Sequence, residues 1–149
     1  MIKQYAKNPK TTDISVIECS LRFAHGGFAS SKSVMTQMIY KLTPRALWQV
    51  AESKGVFDGA PIDHADGYIH FSTAEQVRET ADKHFAGQDN LLLVAVRADR
   101  LGQALKFEVS RGGALFPHLY ALLPLDAVEW VKPLPLGSDG KHIFPELTA

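Results

Sequence analysis

The run LLLVAV, Leu91 to Val96, is six apolar residues without a polar break. It is too short for a membrane span and shows no helical stripe, so it reads as a central strand covered on both faces. Whatever fold the chain adopts must therefore supply apolar layers on both sides of it. Two stretches read as helices that do so. In TPRALWQVAESKG, Thr43 stands as N-cap, Pro44 at the first helical position, Leu47, Val50 and Ala51 as an apolar stripe, and Gly55 as the stop. In TAEQVRETADKHF, residues 73–85, the stripe is Val77, Ala81 and Phe85.

The remaining runs are strands. MIYKL opens the regular part of the chain and GYIHF separates the two helices. ALKFEV and AVEWVKPL alternate as half-exposed strands do, and SRGGA turns the chain between ALKFEV and LFPHLYALL. Strand, helix, strand, helix and then only strands predicts an α+β fold, with two helices packed on a mostly antiparallel sheet. No internal repeat is present.

At 149 residues the chain fits one domain with a core that needs no staples. Its composition changes near residue 35, where the Gly/Ser-rich stretch AHGGFASSKSVMTQ gives way to MIYKL. Residues 1–34 therefore read as an N-terminal extension, a flexible tail or the product of a start codon placed too early, and residues 35–149 as the domain. The closing PLPLGSDGKHIFPEL reads as an extended Pro-rich arm available to a partner.

Sixteen Lys and Arg balance sixteen Asp and Glu, so no global field favours DNA, RNA or an anionic membrane. The single cysteine, Cys19, excludes an intramolecular disulfide and a Cys-based zinc site. With neither a signal peptide nor a membrane span in view, the expected compartment is the cytoplasm. The histidine spacings match no metal motif, and neither a P-loop, GxGxxG nor GxSxG occurs.

Two clusters remain that could carry chemistry. In GYIHFST, alternation sets Tyr68, His70 and Ser72 on one side of the strand and Ile69 and Phe71 on the core side. Ser72 through Glu75 also has the form of a capping box, which would place Ser72 and Thr73 at a helix N-terminus suited to phosphate oxygens. The second cluster, FEVSRGGALFPHLY, brings Glu108, Arg111, His118 and Tyr120 into one hairpin, with the Arg111 guanidinium at the turn.

These same segments, DGYIHFSTAEQV, LLLVAV and above all RGGALFPHLYALLPLDAV, resemble the uncharacterised bacterial family known as domain of unknown function 952, over nearly all of Met38 to Val131. That resemblance implies a fold like the ADP-ribosyltransferase catalytic core, which uses NAD. YIHFSTAEQV is in addition similar to the HVHLS segment of RNA 2′-phosphotransferases; His70 takes the place of its second histidine and Ser72 of its serine, while Tyr68 departs from it by replacing the first histidine.

The function these likenesses imply is a pocket for NAD, as substrate, or a related nucleotide, serving ADP-ribosyl transfer or cleavage of the nicotinamide glycosidic bond. His70, Glu108 and His118 are then the expected catalytic residues. Tyr68, Ser72, Thr73, Arg111 and Tyr120 are the expected ligand-binding ones. Such a cleavage develops oxocarbenium character and draws on a nearby carboxylate, for which Glu108 is the candidate. The alternative is a non-catalytic binding or regulatory module on the same fold. Glu108 aimed at His70 would favour the enzyme, and Glu108 in solvent the module.

Overall fold

Why Leu91 to Val96 carries no polar residue is plain from its place. In the computed structural model, which describes residues 36–149, this run forms β4 (Leu91–Arg97), flanked on one side by β1 (Met38–Pro44) and on the other by β8 (Val128–Leu134), both antiparallel to it. Leu92, Val94 and Val96 face one core with Ile39, Trp48, Phe57, Ile69 and Phe71. Leu91, Leu93 and Ala95 face a second, with Met38, Tyr40, Leu42, Val77 and Ala81. A strand packed on both faces has no solvent side on which a polar residue could sit. The reading of residues 1–34 as an extension lies outside the described residues.

Helix α1 (Arg45–Lys54) covers the first core and ends at Gly55, whose φ of 80° is the left-handed conformation a glycine stop supplies. Its buried face is Trp48 and Ala51, with Leu47 half-buried, whereas Val50 is exposed: the bulkier indole takes the core side and turns Val50 outward. Thr43 is not the N-cap. It pairs with Leu92 inside β1, which runs on through Pro44, and its buried Oγ1 has no hydrogen-bond partner among the described residues.

A two-residue β2 (Val56–Phe57) follows, then α2 (Pro61–Asp66), which sequence pattern passed over. Pro61 sits at the first position of α2, and Asp63 accepts a hydrogen bond from the Ala60 amide at 2.7 Å, a helix start compressed into six residues. Strand β3 (Ile69–His70) leads by a turn to α3 (Val77–His84), which covers the second core with Val77 and Ala81. Beyond β4 come β5 (Leu105–Val109), a 3₁₀ turn at Arg111–Gly113, β6 (Leu115–Leu119), the short β7 (Leu123–Pro124) and β8. The α+β class and the SRGGA turn stand as expected, but the strands fall into three antiparallel groups: β1-β4-β8, β2-β7 and β3-β6-β5.

The segment around β3 joins two of these groups. His70 pairs with His118 of β6, and the Phe71 amide donates to the Pro117 carbonyl at 2.9 Å. One residue on, Ser72 exchanges backbone hydrogen bonds with Tyr40 of β1 at 2.8 and 2.9 Å. The chain thus changes partner between residues 71 and 72.

This exchange overturns the capping box. Holding Ser72 in extended backbone against β1 postpones the helix to Val77, so the Ser72 hydroxyl meets Thr80 Oγ1 at 3.1 Å instead of a first-turn amide. The Thr73 amide is taken by the Gln76 side chain. Ser72 and Thr73 therefore do not form a helix-terminal anion site.

The C-terminal stretch is not a free arm. His142 is buried and bridges to Leu136, Phe144 and Leu147 pack on the second core, and the Tyr40 hydroxyl donates to the Thr148 carbonyl at 2.6 Å. No helix among the described residues is long and apolar enough to cross a membrane.

Candidate functional site

Where the β1 and β6 groups are joined, a cavity of about 520 Å³ lies between them. Tyr40 to Leu42 of β1, His70 to Ser72, and Phe116 and His118 of β6 form walls; Asp66 of α2, Thr80 and His84 of α3 and Arg111 of the hairpin turn complete it. A recess of about 310 Å³ adjoins it, sharing Thr80, Arg111 and Phe116 and adding Lys83. Mostly apolar walls with a few convergent polar groups are the usual makeup of a small-molecule site.

The cavity rests on a buried ionic hub. Asp63, 2% exposed, takes Lys41 Nζ at 2.8 and 2.9 Å, His70 Nδ1 at 2.7 Å, and the amides of His70 and Ala60 at 3.0 and 2.7 Å. Burial alone would raise the carboxyl pKa, but the His70 hydrogen bond, the Lys41 charge and the Ala60 amide together hold it well below the ordinary range. Burial lowers the Lys41 pKa, against the pull of Asp63 in the other direction. His70 Nε2 in turn meets Asp66 Oδ2 at 3.0 Å, so basic and acidic side chains alternate along Lys41, Asp63, His70 and Asp66.

On β6, His118 Nδ1 lies 2.9 Å from Glu108 Oε2, the same oxygen that accepts the Tyr120 hydroxyl at 2.8 Å. The His118 and Tyr120 contacts depress the Glu108 pKa, and Glu108 raises that of Tyr120. Tyr68 lies over the His118 ring, 4.2 Å between centroids and 25° between planes, and touches Tyr120 at 5.2 Å and His70 at 4.8 Å. His70 and His118, register partners, stand edge to face at 5.5 Å. An aromatic stack thus separates the cavity from Glu108.

Of the expected site residues, His70, Ser72, Arg111 and His118 line the cavity. Tyr68 and Tyr120 stand behind its wall as the stack, and Thr73 lies outside it. Glu108 points neither at His70 nor freely into solvent: it positions His118. Arg111 is exposed, its guanidinium 5.7 Å from the Phe116 ring centre.

Pattern reading missed Lys41, Asp63, Asp66, Thr80 and His84. A lysine inside the apolar MIYKL and the Pro-x-Asp start of α2 were the only signals for the first two. The partial burial of His84, followed by the charges of Arg111, Lys83 and His70, lowers its pKa, a sign of positive potential at this end of the cavity.

No curated protein matches the chain. Among solved structures it is similar to the crystal structure of protein CC0527 from Caulobacter crescentus, at 50% identity and a TM-score of 0.69 over 71% of this chain and 93% of that one. The solution structure of CC0527 matches at 51% identity, with a TM-score of 0.64, over 70% and 90% of the two chains. The model of the family described as a protein of unknown function, DUF952, matches residues 42–131, and the chain belongs to that family.

Proposed function

We propose that the cavity binds NAD or a related nucleotide, on a fold of the ADP-ribosyltransferase type. The observation that carries this is the meeting of His70 from β3 with Arg111 and His118 from the β5–β6 hairpin around one mostly apolar space. Phe116 offers surface to a base or nicotinamide, the imidazoles and Thr80 offer hydrogen bonds to ribose hydroxyls, and Arg111 offers a fork to phosphate oxygens. Arg111, Lys83 and His84, gathered at one end of the cavity and its adjoining recess, support an anionic ligand.

For ADP-ribosyl transfer or glycosidic cleavage, the carboxylate nearest the sugar would be Asp66, since Glu108 is engaged behind His118. That engagement is also what favours the second reading, a binding module with no glycosidic chemistry. Calorimetric titration with NAD, ADP-ribose, AMP and nicotinamide tests the proposal. Saturable nucleotide binding is expected, weakened at least about tenfold, or ~1.4 kcal/mol, by Arg111→Ala. Arg111 is exposed, so that variant should melt within a few degrees of the native chain. Absence of binding by all four compounds would overturn the nucleotide reading.

A further inference from the structure

We propose that His70 and His118 form a proton donor and acceptor pair that hydrolyses a ribonucleotide phosphodiester, of which a 2′,3′-cyclic phosphate is the simplest. The proposal rests on the nucleotide reading of the cavity and adds a reaction to it. Both rings line the same cavity from adjacent antiparallel strands, 5.5 Å apart. Each has Nδ1 against its own carboxylate, Asp63 at 2.7 Å and Glu108 at 2.9 Å, which fixes ring orientation and leaves Nε2 for chemistry.

The two differ in what Nε2 meets. Carboxylates only accept, so His70 carries hydrogen on both nitrogens when it donates to Asp63 and Asp66 together. That is the loaded form of a general acid, and Asp66 is an exposed side chain whose place a ligand oxygen can take. His118 Nε2 has no protein partner among the described residues, and in the neutral ring whose Nδ1–H donates to Glu108 it is a bare acceptor. Two like groups in unlike surroundings are what paired acid and base catalysis requires. The Ser72 hydroxyl, two residues from His70, bonds Thr80 and neither histidine, and the nucleophile assigned here is water.

In the step itself, His118 Nε2 takes a proton from water as the water oxygen bonds to phosphorus. The bond from phosphorus to ribose O2′ breaks, and His70 Nε2–H protonates that oxygen. One water is consumed, a nucleoside 3′-monophosphate leaves, and the two rings reset through solvent. Arg111 lies in the cavity wall where it can face the non-bridging oxygens.

The test incubates the full chain with 2′,3′-cyclic AMP, and separately with bis(p-nitrophenyl) phosphate, while AMP binding is followed by calorimetry. His70→Asn and His118→Asn keep an amide able to donate where Nδ1 did and remove Nε2; circular dichroism confirms their folding. Turnover is expected, lost by about 100-fold or more in either variant, with a bell-shaped dependence of rate on pH. Asp63, Asp66 and Tyr68 face His70, with Lys41 behind Asp63; Glu108, Lys106 and Tyr68 face His118, with Arg111 and His84 across the cavity. Neutralising one of these in Glu108→Gln should move the acid limb to lower pH, which a merely structural contact would not do. AMP binding without turnover, or turnover indifferent to both histidines, overturns the acid–base pair. Histidine-dependent turnover of the nitrophenyl ester without AMP binding supports the pair and overturns the nucleotide reading instead.

Discussion

Asp63 accepts five hydrogen bonds while nearly sealed from water, and its neighbours depend on it. Removing it in Asp63→Ala strands the Lys41 charge in the core and should cost about 3–5 kcal/mol in urea unfolding. The sign of its pH dependence follows from its lowered pKa. A carboxyl held lower in the folded chain than its unfolded value of about 3.9 contributes stability that is complete above that value and is lost as pH falls toward the folded one. Urea midpoints followed from about pH 6 to about pH 2.5 should therefore drop more steeply for the native chain than for Asp63→Asn. Thr43 is the opposite case. Its buried hydroxyl has no partner among the described residues, so Thr43→Val should raise stability by about 1 kcal/mol, and a fall would reveal a bond to that oxygen.

Helix α2 is the element on which the site hangs, because Asp63 and Asp66 both leave from it. The chain enters α2 from β2 over Gly59, where φ is 111° and a Cβ would lie 2.9 Å from Asp63 Cβ. Gly59→Ala combines backbone strain with that clash, so it should lower the melting temperature by several degrees, equivalent to about 2 kcal/mol. The His70 ring signals in proton NMR should move with it. At this scale the sequence was only partly legible. Glycine and proline punctuation marked Gly55 and the SRGGA turn, because such signals act on adjacent residues. Two caps were misread, at Thr43 and Ser72, because pairing with β4 and β1 outbid a local hydroxyl bond for the same residues.

Across the whole molecule, the C-terminal residues close the second core by laying Phe144 and Leu147 against it, with the Arg78 guanidinium 4.8 Å over the Phe144 ring. A chain ending at Leu134 should lose about 2–4 kcal/mol and expose Tyr40, read as a rise in tyrosine accessibility together with a lower melting temperature. What sequence alone determined is whatever periodicity and local turns control: the α+β class, the central place of Leu91 to Val96, the inward Ile69 and Phe71, and four cavity residues, His70, Ser72, Arg111 and His118. What only tertiary structure decided is which distant groups meet. Lys41 and Asp63 lie 22 positions apart and β1 shows a lone lysine in an apolar run, a pattern that gives no hint of a partner. Glu108 went to His118 and not to His70 because alternation along β5 and β6 sets both on one face of the hairpin, next to each other across the strands. Alternation settles the face a residue takes, but the pairing of strands far apart in the chain settles what stands opposite it.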